Sequence, residues 1–295
     1  MWVAENFDAY EIIDVGGGEK VERWDKYILT RPDPLAFFDK DISKEKQKSN
    51  AIYHRSRSGG GEWEFIDLPE MWSISYKLPS GNILNFNLKP FSFKHTGLFP
   101  EQSANWDWFS KIISDTLKSG EKKEFSVLNL FAYTGGATLA ALSSGASVVH
   151  VDSSKGMVNW AKENAALSNL SDKPVRWIVD DAIKFVEREI RRGHRYDGII
   201  MDPPSYGRGP NGEVWKLEEN VYDLICKTAS LLDSDSKFFL LNSYTTGLSQ
   251  STLEYMVSLS IGKKLGGKVV ADELGFRVKN TGLLFPQGAS CRWEK

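Results

Sequence analysis

Between residues 103 and 117, Trp106, Phe109, Ile112, Ile113 and Leu117 recur at helical spacing, the stripe of a helix that buries one face. Beyond it, short apolar runs alternate with further helical patterns. Strands are predicted over 125–131, 147–152, 175–179, 198–202 and 237–242, and helices over 137–144, 155–168, 182–191, 217–231 and 253–261. Such a series predicts an α/β fold: a doubly wound, Rossmann-like and mostly parallel sheet with helices on both faces. Residues 268–274 and 282–285 can close it as an antiparallel hairpin.

Ahead of Lys89-Pro90 the texture differs. Apolar and polar residues alternate over 10–14, 21–29, 51–57, 72–78 and 83–88. Between these lie Gly16-Gly17-Gly18, Pro32-Asp33-Pro34, Gly59-Gly60-Gly61 and a charged stretch at 44–48, read as a solvated loop. The chain therefore divides into a small β-rich domain, 1–90, and an α/β domain, 91–295. A length of 295 residues, near the upper limit for one core, suits that division.

Composition narrows the class. The apolar share of 41% and charged share of 26% are those of a globular protein. Net charge is −2, and residues 1–95 carry 13 Lys and Arg against 15 Asp and Glu, so neither the whole chain nor its front end is a basic arm for nucleic acid. Any basic surface is local. No leader pattern opens the chain and no segment is apolar enough to span a bilayer, so a cytoplasmic protein with no membrane partner is expected. Two distant cysteines, Cys226 and Cys291, offer neither a disulfide framework nor a metal site.

In open α/β sheets, ligands bind beyond the C-terminal ends of the strands. The first strand exits through Asn129-Leu130-Phe131-Ala132-Tyr133-Thr134-Gly135-Gly136. The adjacent glycines permit a tight turn and a close backbone approach to a ligand, though a plain strand-to-helix turn explains them equally. The three-glycine spacing of a nicotinamide-binding loop is absent. Asp152 ends the second strand where an acid can bind ribose hydroxyls, with Ser153 and Ser154 at a helix N-cap position. The third strand ends in Asp180-Asp181. One of the two caps the next helix, and Asp181 is favoured for an adenine amino group.

The fourth strand runs into Asp202-Pro203-Pro204-Ser205-Tyr206. Consecutive prolines fix the backbone, so Asp202 and the Pro203 carbonyl are preorganised acceptors for an amino group, while Tyr206 can stack on its plane.

With these motifs in view, the chain resembles the class I S-adenosylmethionine-dependent methyltransferases. It is most similar to the branch that methylates cytosine carbon 5 or a guanine nitrogen in large-subunit ribosomal RNA. The resemblance covers residues 90 to 295 and is carried by 128–136, Val151-Asp152-Ser153-Ser154, Asp180-Asp181-Ala182 and the Asp202 loop. It implies S-adenosylmethionine as cofactor, held by Asn129, Phe131, Tyr133, Thr134, Gly135, Gly136, Asp152, Ser153, Asp181 and Asp202, with no metal. The segment Phe93-Lys94-His95-Thr96-Gly97-Leu98-Phe99-Pro100-Glu101-Gln102 resembles one that touches the cofactor's methionine end in this branch, which implies Lys94, Thr96 and Gln102 as binding residues.

Cytosine-carbon enzymes use a thiolate nucleophile, because a ring carbon has no lone pair. Here the catalytic loop has Ser205, and the fifth strand ends in Asn242-Ser243-Tyr244-Thr245-Thr246. A base nitrogen of ribosomal or other structured RNA is therefore the favoured acceptor. Tyr53, His54, Arg55 and Arg57 suit docking of unpaired bases, whereas Trp24, Trp63 and Trp72 also read as a small core. The alternatives are a protein or metabolite acceptor, which the sequence pI of 6.2 suits, and a cofactor-binding module without catalysis, against which Asp202 and Tyr206 argue.

Overall fold

The computed structural model describes all residues except 57–59, 92, 93, 209–213 and 246. Arg57, Gly59, Phe93 and Thr246, which belong to the motifs above, lie outside the described residues. The chain forms two compact units, one of Met1–Ala104 with Gly275–Gln287, the other of Asn105–Leu274 with Gly288–Lys295. The first unit is thus larger than the stretch 1–90 read from texture. It takes in the tip of the C-terminal hairpin, because Lys279 N and Asn280 N donate to the carbonyls of Ile12 and Ile13 at 2.9 and 3.1 Å.

The first unit begins with β1 (Trp2–Val3) and is built on a sheet of β2 (Tyr10–Gly16), β3 (Glu19–Trp24), β4 (Tyr27–Pro32), β5 (Ala51–Arg55) and β6 (Gly61–Phe65), in that order. Helix α1 (Ser43–Lys46) precedes β5, where an irregular loop is predicted. A separate hairpin pairs β7 (Trp72–Lys77) with β8 (Ile83–Leu88), and Trp72, Ile74 and Tyr76 alternate into the interior. The span 21–29, predicted as one strand, is two: Trp24 pairs with Tyr27 across a turn at Asp25, whose φ is 57°. Aspartate tolerates the left-handed region, so neither glycine nor proline marks the break.

Within this unit Glu22 is wholly buried, and its carboxylate receives Arg31 Nε at 2.6 Å and Nη2 at 2.8 Å. Burial alone would raise the Glu22 pKa, but Arg31 and Lys20 prevail and hold it at about 2. Trp24 and Trp72 are buried, while Trp63 is only half-buried on β6.

The second unit follows the alternation read from the sequence. It holds α2 (Ser103–Lys118) from Asn105 onward, then β9 (Ser126–Leu130), α3 (Gly136–Ser143), β10 (Ser147–Asp152), α4 (Lys155–Leu167), β11 (Val175–Val179), α5 (Ala182–Arg192) and β12 (Gly198–Met201). A short hairpin of β13 (Tyr206–Arg208) and β14 (Val214–Lys216) comes next, then α6 (Leu217–Ala229), β15 (Phe238–Ser243), α7 (Gln250–Val257), β16 (Lys268–Arg277) and β17 (Leu284–Glu294). The last two strands run on into the first unit.

The order β17-β15-β12-β9-β10-β11 is parallel throughout except for β17, which pairs antiparallel to β15. Taken in chain order the parallel strands run 3-2-1-4-5, the Rossmann arrangement, and it reverses direction between β9 and β12. Strands β12 and β15 are buried along their whole length, as a sheet covered on both faces requires. Phe238 stacks on Phe109 and Phe125 at ring separations of 5.7 and 6.0 Å, which joins α2 to the sheet. No described helix is long and apolar enough to cross a membrane.

Candidate functional site

The reversal between β9 and β12 opens a crevice beyond their C-terminal ends, where Leu130 and Met201 lie side by side. The loop leaving β9 is strained: Phe131 and Tyr133 have φ of 56° and 52°, in the left-handed region. Non-glycine residues there cost about 1–3 kcal/mol each and persist only when their surroundings hold them. Here Ala132 N donates to Val151 O at 3.0 Å, Tyr133 N to Asp152 Oδ2 at 2.9 Å, and Asn164 Nδ2 to Thr134 O at 2.9 Å. Gly135 has φ of 90° where α3 begins, and a Cβ on Gly136 would come within 2.6 Å of the Trp106 ring. The turn is tight, and the close approach at Gly136 is made by Trp106.

Asp152 stands beside this loop. Its Oδ2 receives Tyr133 N, and its Oδ1 receives Ser154 N at 2.8 Å, so each oxygen keeps a lone pair for a ligand. Burial raises the Asp152 pKa, against the lowering effect of those two backbone donors. Ser154 caps α4 by accepting from Met157 N, and Ser153 is exposed next to it. Of the acidic pair after β11, Asp181 is the cap: its Oδ1 accepts from Lys184 N at 2.9 Å, and the residue is exposed. Asp180 is paired with Arg188.

Asn129 is buried within the sheet layer. It donates from Nδ2 to Thr138 Oγ1 at 2.9 Å, and that hydroxyl is 2.9 Å from His150 Nδ1. The His150 ring lies 4.8 Å from Trp177. Burial, with a smaller contribution from Lys162, holds the His150 pKa down to about 3. This network lies beneath the N-terminal half of α3 and fixes the helix that follows the glycine loop.

Asp202 extends β12 toward the same crevice, its N–H directed to Leu130 O at 3.4 Å. Pro203 is buried, whereas Pro204, Ser205 and Tyr206 are exposed. Three donors brace the turn. Trp215 Nε1 donates to Pro204 O at 2.6 Å, Leu217 N to Ser205 O at 3.0 Å, and Thr245 Oγ1 to Ser205 Oγ at 2.7 Å. Tyr206 opens β13, opposite Lys216, and is 53% exposed.

Trp215 is the residue that sequence reasoning missed. Its ring lies 6.1 Å from that of Phe131 while its indole N–H holds the Pro204 carbonyl, so one side chain ties the Asp202 turn to the β9 loop. The only signal was a tryptophan in a polar stretch just ahead of a predicted helix.

Neither cysteine serves a strand-end loop. Cys291 is wholly buried on β17, opposite Leu241, and burial pushes its thiol pKa up. Cys226 lies on α6 with Sγ 3.5 Å from Ser260 Oγ. Among the described residues no group of His, Cys, Asp and Glu is placed to hold a metal ion.

Lys94, Thr96 and Gln102 belong to the first unit. Lys94 Nζ donates to Pro32 O at 2.9 Å, and its pKa falls to about 8 through burial first, then repulsion from Lys20 and Arg31. Thr96 is fully buried, and its Oγ1 has no hydrogen-bond partner among the described residues. Gln102 is buried at the end of a short turn, Pro100–Gln102.

The second unit's strand ends thus bring together a half-buried carboxylate with spare lone pairs, a clamped glycine loop and a braced acidic turn. An acid with spare lone pairs beside a tight loop is a donor set that fits a nucleoside. Comparison with known proteins names the family. A model of S-adenosylmethionine-dependent methyltransferases matches residues 44–227. Ribosomal RNA large subunit methyltransferase K/L of Shewanella frigidimarina is 30% identical over 63% of this chain and 24% of its own length. The protein of that name from Syntrophotalea carbinolica is 36% identical over 64% of this chain and 25% of its own. The chain spans about a quarter of the length of these curated relatives. A solved S-adenosylmethionine-dependent methyltransferase from Agrobacterium tumefaciens is 33% identical with a TM-score of 0.89, covering 99% of this chain and 92% of that one. The chain belongs to the S-adenosylmethionine-dependent methyltransferases, enzymes whose methyl donor is that cofactor.

Proposed function

We propose that this enzyme methylates a base nitrogen of structured RNA, ribosomal RNA first among the candidates. The observation that carries the reading is the braced Asp202-Pro203-Pro204 turn beside the β9 loop, in a unit where Cys291 is wholly buried on β17 and Cys226 lies on α6. The names of the relatives support RNA as the substrate class.

When bound, S-adenosylmethionine supplies an electrophilic methyl group. The chain's own task is to present the acceptor. An amino group that donates one N–H to the Asp202 carboxylate and another to the Pro203 carbonyl is held with its lone pair turned toward the cofactor cleft, a positional gain that needs no covalent intermediate. Tyr206 offers a face on which the base stacks. For the cofactor we assign the ribose to Asp152, with Ser153 beside it, and the adenine amino group to the free oxygen of Asp181. The backbone of Phe131 through Gly136 lines the nucleoside, and Asn129 acts from beneath by fixing α3. Lys94, Thr96 and Gln102 are assigned to the methionine end on the resemblance of their segment alone. Two unbridged cysteines suit a reducing, cytoplasmic compartment. Residues 1–90 are assigned to RNA docking.

The test is mass-spectrometric nucleoside analysis of RNA from cells with and without the protein. The reading expects one nitrogen-methylated nucleoside to disappear. An unchanged RNA profile alongside a lost methyl group on a protein or metabolite would overturn it.

A further inference from the structure

We propose that a groove in the first unit binds an unpaired nucleotide of the RNA, its base on Phe37 and its phosphate at Arg55, an inference that rests on the RNA reading above. The groove has a volume of about 430 Å³ and is bounded by the turn at Gly17 and Gly18, the loop carrying Phe37, and His54 and Arg55 at the end of β5. That volume lies within the range of small-ligand sites.

Phe37 is 83% exposed, the largest exposure of any large apolar side chain described. One exposed aromatic means little by itself, but the loop that carries this one is held by backbone hydrogen bonds. Gly17 N donates to Phe38 O at 2.9 Å, Gly18 N to Ala36 O at 2.7 Å, Asp33 N to Gly18 O at 2.8 Å and Ala36 N to Asp33 O at 3.1 Å. These bonds hold the backbone on either side of Phe37, and a backbone already held lowers the entropic cost of stacking on its side chain.

Charge identifies the ligand. Both carboxylates at the groove are compensated: Glu19 by Lys46 Nζ at 2.7 Å, and Asp33 by Lys20 Nζ at 3.5 Å and Gln287 Nε2 at 3.1 Å. His54 is paired with Glu64 at 2.7 Å. Arg55 is exposed and makes no ion pair among the described residues. An exposed guanidinium and an exposed aromatic side chain lining one groove match one nucleotide, a phosphate and a planar base.

The test uses the full chain with protein-free large-subunit ribosomal RNA from cells lacking the enzyme. Phe37→Ala should raise KM for RNA by roughly 5–100-fold, the effect of losing one stacked base, with kcat and cofactor affinity unchanged. Phe37→Trp should restore KM. Arg55→Ala should weaken binding and lower the salt dependence by about one unit of slope. If wild-type enzyme methylates this RNA and neither Phe37→Ala nor Arg55→Ala alters KM, the groove assignment is wrong while the RNA reading stands. If only intact ribosomal particles reveal the Phe37→Ala defect, a ribosomal protein occupies the groove and the nucleotide assignment is overturned. Failure of wild type to methylate RNA at all removes both.

Discussion

Asp152 and His150 sit two residues apart on β10 and do opposite things. Asp152 keeps spare lone pairs at the strand end, and with the ribose assigned to it as proposed, Asp152→Ala should remove hydrogen bonds to a cofactor hydroxyl worth about 1.5–3 kcal/mol each. Calorimetry should show S-adenosylmethionine bound at least tenfold more weakly. His150 is buried and neutral, with a pKa near 3 against an ordinary 6.5. The unfolded chain takes up that proton as pH falls below 6.5 and the folded chain does not, so this contribution is complete above 6.5 and is lost progressively toward pH 3. Relative to a non-titrating His150→Gln variant, the wild type should therefore lose about 2 kcal/mol between pH 7 and pH 5, read from urea unfolding at both values. An unchanged gap would mean that the ring is protonated in the fold. That Asp152, Asp181 and Asp202 stand at or just beyond strand ends was legible in the sequence, because each acid follows an apolar run. The Asn129–Thr138–His150 network was not, since it depends on the register of two strands with a helix laid over them.

At the scale of elements, the acidic turn is only as rigid as the hairpin that holds it. Trp215→Phe keeps a ring beside Phe131 but removes the bond to Pro204 O, about 0.5–1.5 kcal/mol of restraint. The expected result is a fall in kcat of up to about tenfold with cofactor affinity unchanged. Trp215→Ala, which also removes the ring contact, should be worse, and equal kinetics for the two would show that the indole N–H is irrelevant. The β13–β14 hairpin escaped the sequence reading because Pro203-Pro204 and the glycines after it read as a plain loop, and its pairing is only three residues long. The ends of the five parallel strands, by contrast, were placed within a residue or two, whereas the closing strand, read as 282–285, runs over Leu284–Glu294. Long apolar runs between helical patterns leave little freedom in a parallel sheet. The break at Asp25 was invisible for the opposite reason, as its turn uses an aspartate at φ 57° within an otherwise uniform pattern.

Over the whole molecule, the alternation of strands and helices made the α/β class legible, but the division into units was not. The hairpin tip joins the first unit through backbone bonds that no composition records. That unit also contains a buried ion pair whose loss should be severe. Glu22→Gln leaves Arg31 charged and uncompensated in the interior, and should destabilise the protein by about 3–5 kcal/mol in denaturant unfolding. Replacing both partners with apolar residues should recover much of that loss.

In the proposed function an acceptor amine is held by Asp202 for transfer from S-adenosylmethionine without a thiol. The most direct test of that function is transfer of a labelled methyl group by purified protein to large-subunit ribosomal RNA, wild type against Asp202→Ala, with cofactor affinity measured in parallel. Wild type should place label on a nitrogen-methylated nucleoside, and Asp202→Ala should give no turnover but nearly unchanged cofactor affinity, because the lost contact is made mainly to the acceptor. Label at cytosine carbon 5, or full turnover by Asp202→Ala, would contradict that function.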